Sequence, residues 1–332
     1  MMRKRSIIVT LAVLLVSMIA VGSFAVAKPI PISVYVILSK SSVSAQAMFQ
    51  LAEMVEERTN GKVKFDCYHS GELGGDVETI EAMRLGTVDM RMAGVGLHSH
   101  FYPEAMLLEL PFLFKDRAHV QRFLYSDAGR KFMDGFEQYG VKCLTIYDIG
   151  FRNISNSKRP INHVDDVKGI KIRVPEIDTY VKVWDKFGAA PVAMAWPDVY
   201  MALKTGVLDA QDNAPEHTYS NKTYETQKYY SIINYIWMGG ALTMNLNKWN
   251  SLPKDVQDVM LEAAREISEW TFEELASKDE WAIEQMEKEG LEINRSPDIE
   301  SFRSKVADLY DEFAKEPWYD PEVIEAIRGL ED

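Results

Sequence analysis

Residues 169–175, Gly-Ile-Lys-Ile-Arg-Val-Pro, carry the first chemical candidate. Ile170, Ile172 and Val174 alternate with Lys171 and Arg173, the period of a strand with one buried face. Pro175 ends the ladder because it has no N–H to donate. The spacing predicts a short strand that carries Arg173 on its non-core face, at its C-terminal end. Ligands of open α/β sheets bind at that edge. A guanidinium held there on a rigid element suits a ligand carboxylate, through a two-pronged, charge-assisted pair. A lone Arg173 reads equally as a surface charge, so its companions matter. Gly150-Phe151-Arg152-Asn153 follows another strand-like run and supplies Arg152. The strand-end run from Val207 to Asn213 offers Asn213 as donor and acceptor. Trp196 precedes Pro197 at a helix start, where its ring can wall a pocket. Two cations, an amide and an aromatic wall together describe a concave site.

Catalytic signatures are missing. The chain has no G-x-S-x-G, no H-E-x-x-H, no G-x-x-x-x-G-K-[ST] and no G-x-G-x-x-G. Gly94-Val95-Gly96 starts a glycine pair but lacks the third member. An exported enzyme acting on an organic acid is one alternative, for which no nucleophile or general base can be named. A metal-binding receptor using His69, His98 and His100 is another. His98-Ser99-His100 is a weak metal signal without a further ligand at a telling distance, and a solvated loop is its ordinary reading. No metal and no cofactor is expected.

Composition sets the compartment. Arg3, Lys4 and Arg5 form a basic start, Ile7 to Ala20 a nearly continuous apolar run, and Ala25-Val26-Ala27 a small-x-small site. That is the pattern of a secretory leader over residues 1–27, cleaved after about Ala27. The apolar run is short for a membrane span of about 20 residues. Nothing later is long and apolar enough to span a bilayer. Cleavage leaves 305 of the 332 residues, room for two domains with cores of their own. The formal charge is −13, and loss of the three basic leader residues takes it to −16. Such an acidic chain is a poor nucleic-acid binder. Cys67 and Cys143 fall in strand-like runs and are read as two free thiols, with no C-x-x-C.

Strand and helix signals alternate along the chain. Ile32–Leu38, Val63–Tyr68 and Thr87–Ala93 read as strands. Between them lie a helical stripe (Ala45, Met48, Phe49, Ala52, Val55) and a short helix capped by Asp76 and closed by Gly86. That order implies a mostly parallel sheet. A second series has strands near Lys142–Ile146, Ile170–Val174 and Val207–Gln211, with helices at about Thr179–Phe187 and Pro197–Lys204. After Pro253 an apolar stripe, Val256, Met260, Ala263, Ile267 and Trp270, opens a helix that runs to Glu289. At about 54 Å it is long enough to brace two domains. A kink near Glu273–Asp279, splitting it in two, is the alternative. A last amphipathic helix carries Phe302, Val306, Leu309 and Phe313.

Several runs, in this order, resemble the solute-binding subunit of a TRAP transporter (tripartite ATP-independent periplasmic), of the dicarboxylate-binding type. They are Glu57–Val63 (ERTNGKV), Gly71–Gly75 (GELGG), Leu85–Met90 (LGTVDM), Leu110–Phe114 (LPFLF), Lys171–Pro175 (KIRVP) and Val199–Asp209 (VYMALKTGVLD). The resemblance covers nearly the whole mature chain. It implies an α/β fold of two domains with a hinged cleft between them and a long helix crossing both. The domains are then 28–149 plus about 238–278, and 150–237 plus about 279–332. It also implies a periplasmic, monomeric receptor, not an enzyme, that delivers a small organic acid to TRAP membrane permease subunits. By that resemblance Arg173 pairs with the ligand carboxylate and Arg152 is a second pocket arginine. Asn213 is the family amide of a D-G-Q-[ED]-N run, here with Ala210 for the glycine. Trp196 holds an often aromatic position, and Ser39 and Ser41 belong to a loop that gives polar contacts. Gly94 stands where sialic-acid-type relatives carry an acidic ligand contact, which argues against that substrate.

Overall fold

The computed structural model describes residues 28–331, so the leader read over 1–27 lies outside the described residues. Eleven strands among them form two sheets. They are β1 (Ile30–Val36), β2 (Val63–Tyr68), β3 (Met90–Gly94), β4 (Val141–Phe151), β5 (Asn153–Asn156) and β6 (Lys171–Val174). The others are β7 (Ala190–Ala193), β8 (Ala210–Asn213), β9 (Tyr229–Ser231), β10 (Trp237–Asn245) and β11 (Glu292–Asn294). The first sheet has the order β2-β1-β3-β10-β4 and the second β11-β9-β5-β8-β6-β7.

The first three strands pair in parallel, as the alternation predicts. The sheet is nevertheless mixed, because β10 enters it antiparallel to both β3 and β4. Sequence reasoning missed β10 for a physical reason. All nine of its residues are buried, so no polar face marks the period of two. Its glycines also lower strand propensity. Gly240 is required there: it stands opposite Tyr147 in the ladder, and a Cβ at Gly240 would fall 2.1 Å from the Tyr147 ring. A second correction concerns β4. Expected in the second α/β series, it is the edge strand of the first sheet.

The helix Val43–Arg58 buries Ala45, Met48, Ala52 and Val55, the predicted stripe, with Phe49 packed at its margin. Ser42 caps it, accepting the Ala45 N–H at 3.2 Å. Asp76 was expected as a cap for the next helix. Gly75 holds that position, and Asp76, the first helical residue, pairs with Arg91 instead. Gly86 closes the helix with φ 83°, a conformation open to glycine. The strand expected from Thr87 starts only at Met90, because the Thr87 and Val88 N–H groups turn back to the Ala82 carbonyl.

The long helix is single and unbroken over Lys254–Lys288, 35 residues or about 52 Å. One end packs on the first sheet, where Ser268 donates to the Ile146 carbonyl at 2.7 Å. At the other end Ile283 and Met286 join Tyr230 of β9. The helix therefore spans both sheets. The chain also crosses between sheets at β4–β5 and β9–β10. The crossings are tied to each other: Arg152 N–H donates to the Ile236 carbonyl at 2.8 Å, and Tyr235 N–H to that of Arg152 at 3.2 Å. The last predicted helix is two short ones, Ile299–Lys305 and Leu309–Phe313, although Phe302, Val306, Leu309 and Phe313 are all buried as the stripe requires. A further helix, Pro321–Arg328, returns to the first-sheet side. There the Ile327 carbonyl meets the His119 ring at 2.7 Å.

Candidate functional site

Strand ends from both sheets converge on one cavity, with about 500 Å³ of empty space, its mouth included. β3 brings Gly94, β6 brings Arg173 and β8 brings Asn213, while Arg152 comes from the β4–β5 crossing. Trp196, the first residue of its helix, adds the aromatic wall. Five of the seven residues singled out from the sequence are thus brought together.

Arg173 is 5% exposed although Lys171, two residues earlier on the same face, is open to solvent. Its Nε donates to the Met194 carbonyl at 2.9 Å, and its guanidinium lies 5.4 Å from the centre of the Trp196 ring. No carboxylate among the described residues pairs with it. Burial, and then repulsion from Arg152, push its pKa down to about 10, so it stays charged at neutral pH while its charge is poorly compensated.

Arg152 differs. Its Nε donates to Asp212 Oδ2 at 2.8 Å and its Nη2 to Oδ1 at 3.0 Å, a bidentate pair. The Tyr235 hydroxyl donates to the same carboxylate, and Trp184 Nε1 donates to that hydroxyl at 2.9 Å. Arg152 thus carries an internal counter-ion, and the expected second cation is neutralised from within. Asn213 Nδ2 donates to Gln211 Oε1 at 2.6 Å, and Gln211 in turn donates to Ser155 at 2.8 Å. These bonds lock the amide's rotamer.

Ser39 and Ser41 are not on this cavity. They line a neighbouring one with Ser70, Tyr200 and Ser220, which shares Ile37 and Trp196 with the first. Ser39 Oγ donates to the Ser220 carbonyl at 2.9 Å, and its N–H to Asn221 Oδ1 at 2.9 Å. The loop is tied here to the end of the helix Pro215–Ser220.

Sequence reasoning missed His217, Asp76 and Met238. His217 meets the Trp196 ring edge-on, centroids 4.6 Å apart, and its buried Nδ1 has no partner. Burial and the two nearby arginines push its pKa down to about 3, so the ring is neutral. Pro215, at the start of a helix directly after Asn213, was the available signal. Asp76 is buried against Arg91. The three histidines of the metal alternative do not meet. His98 is buried with Nδ1 against the Gly94 carbonyl at 3.1 Å, whereas His100 is exposed. No group of three or more possible metal ligands occurs among the described residues. Cys67 and Cys143 are both unpaired.

Comparison with known proteins decides the class. Residues 34–316 match bacterial extracellular solute-binding protein, family 7. The chain belongs to that family. It is a solute-binding receptor and not an enzyme, and its family works outside the cytoplasm. It is similar to the 2,3-diketo-L-gulonate-binding periplasmic protein YiaO of Escherichia coli K12, 28% identical over 276 residues, covering 83% of this chain and 84% of that one. A crystal structure of a TRAP periplasmic solute-binding protein from Polaromonas sp. JS666, bound to D-erythronate, superposes with a TM-score of 0.88. It is 29% identical and covers 91% of this chain and 99% of its own. Another from Bordetella bronchispeptica, with density assigned to pantoate, has a TM-score of 0.87 at 28% identity, covering 91% of this chain and all (100%) of its own. These solved receptors have the α/β architecture of two sheets found here. Among the described residues no helix is long and apolar enough to cross a membrane.

Proposed function

We propose that this chain captures a small organic acid through its carboxylate and delivers it to the membrane subunits of a TRAP-type permease. One observation carries the reading. Arg173 is a buried guanidinium on the cavity wall without a protein carboxylate, whereas Arg152 beside it has Asp212. A buried, unpaired cation is costly, and a ligand carboxylate removes that cost. D-erythronate, pantoate and 2,3-diketo-L-gulonate, the ligands named for the similar proteins, are all carboxylates.

In this reading Arg173 is the anchor, Arg152 and Asn213 shape the wall beside it, Trp196 covers the ligand and Gly94 leaves it room. Ser39 and Ser41 act one step away, by tying the first loop to Ser220 and Asn221. The two sheets belong to two lobes, about 28–149 with 238–278 and 150–237 with 279–320. Residues 321–331 ride on the first lobe. The lobes close on the ligand about the tied crossings at Arg152 and Tyr235. The protein is exported, its leader is removed after about Ala27, and it acts as a monomer.

Mass spectrometry of ligand released from freshly purified, denatured protein tests the capture. An organic acid is expected, and a neutral or cationic solute would overturn it. Uptake by vesicles carrying the permease pair tests delivery. Transport that runs equally well without this protein removes that role.

A further inference from the structure

The polar inventory of the cavity restricts what its carboxylate can be attached to. Two charged side chains besides Arg173 line it, and both are spoken for: Arg152 by Asp212 and Asp76 by Arg91. The walls therefore offer one positive charge without a counter-ion, and not two. Hydrogen-bonding capacity is also concentrated. His217 presents a neutral imidazole whose Nδ1 has no partner, and its ring packs on the same Trp196 that Arg173 faces. Asn213, four residues before His217 in the chain, also lines the cavity. Most of the remaining lining is aliphatic or thioether, from Val36, Ile37, Met92, Leu97, Ile149 and Met238, with the Tyr147 ring among them.

Resting on the capture reading above, we propose that the ligand is a monocarboxylate with an oxygen on C2 and a compact apolar body, the class of branched 2-oxo and 2-hydroxy acids. The carboxylate takes the terminal nitrogens of Arg173. The C2 oxygen takes the polar corner made by His217 and Asn213, since a neutral imidazole keeps one N–H to donate and one lone pair to accept. The branched body lies on the aliphatic walls, where burial of apolar surface adds affinity. A dicarboxylate fits poorly. Its second charge would be buried against hydrocarbon with no cation to meet it. A hexuronate fits poorly as well, because its ring hydroxyls would lose water to walls with few side-chain partners.

The test is calorimetric titration of the dialysed protein with 4-methyl-2-oxopentanoate, 4-methylpentanoate, succinate and D-glucuronate. The expected order has the 2-oxo acid at least 100-fold tighter than succinate and D-glucuronate, and at least tenfold tighter than 4-methylpentanoate. His217→Phe should shrink that last ratio towards one. Succinate or D-glucuronate binding as tightly as the 2-oxo acid overturns the proposed class while leaving organic-acid capture intact. Equal affinity for the two methyl acids in the unmutated protein overturns the C2 contact, as does an unchanged ratio in a folded His217→Phe. Binding of none of the four, with a non-acid found by mass spectrometry, overturns this proposal and the capture reading together.

Discussion

Replacing Arg173 by Met separates the cost of the buried charge from its use. The Nε atom is already bonded to the Met194 carbonyl at 2.9 Å, which leaves the two terminal nitrogens for a ligand. Two hydrogen bonds to a charged group contribute roughly 1.5–3 kcal/mol each, so about 3–6 kcal/mol of affinity rests on this side chain. That corresponds to a loss of roughly 10²- to 10⁴-fold in Kd. The ligand-free protein should behave oppositely. Arg173 has no carboxylate partner and its pKa is pushed down to about 10, so its charge is a burden when unliganded. An unbranched apolar side chain of similar length removes that burden and loses one bond to the Met194 carbonyl. Thermal stability without ligand should therefore hold or rise in Arg173→Met. Wild-type protein at a ligand concentration 100 times Kd should gain about 2.7 kcal/mol, and the variant at the same concentration close to nothing. Calorimetry gives Kd and a thermal-shift assay gives both stabilities. The reasoning is refuted if the folded Met variant binds within tenfold of wild type. Arg173→Lys should recover only part of the affinity, since a point charge does not reproduce the planar fork.

The other expectations concern the supports of the site. Asp212→Ala strands the buried Arg152 charge and should cost about 3–5 kcal/mol by urea denaturation; an unchanged midpoint would mean that Arg152 has another counter-ion. Gly240→Ala drives a methyl group into the Tyr147 ring and should cost about 1–3 kcal/mol, measured the same way, with no loss expected only if the ring can move off the strand. Burial raises Glu109 and Glu216 to about 7, so the folded state holds protons that the unfolded chain releases from about pH 4.3 upward. Their contribution to stability is full below that pH and lost as pH rises through 7. Relative to wild type, Glu109→Gln/Glu216→Gln should therefore gain stability between pH 5 and 7, by up to about 1.4 kcal/mol per pH step for each group; a constant difference across that range would contradict the assignment. Small-angle scattering should show a smaller radius of gyration on saturation with ligand, and an unchanged radius counts against closure of the lobes.

Local chemistry made much of this molecule legible. The β1–β3 parallel core, the helix Val43–Arg58 and the existence of a helix from Lys254 follow from periodicity, with Gly61 and Gly290 just past the two helix ends at positive φ, but that the second helix runs without a kink to Lys288 is settled only in three dimensions. Arg173, Arg152, Asn213 and Trp196 could be singled out because each sits at the end of a strand or the start of a helix, where loops and strand ends form sites, whereas Gly94 was named only through the family resemblance. β10 was invisible because a strand buried on both faces has no alternation to read. β5, β7, β9 and β11 are three or four residues each, and none sits in an alternating run such as the one from Ile170 to Val174 that marked β6.

The sequence by itself determined the fold class, the leader pattern and the residue types available for an anion, because those depend on spacing along one chain. Only the tertiary structure decided which of the two arginines is free. Asp212 lies 60 residues from Arg152, and the hydrogen bond between them exists because β5 and β8 pair antiparallel in one sheet. It also decided that Ser39 and Ser41 hold the Ser220 segment, 181 and 179 residues away, and that His217 shares the ring of Trp196 with Arg173. Charge compensation and burial are properties of neighbours in space, and a one-dimensional pattern does not carry them.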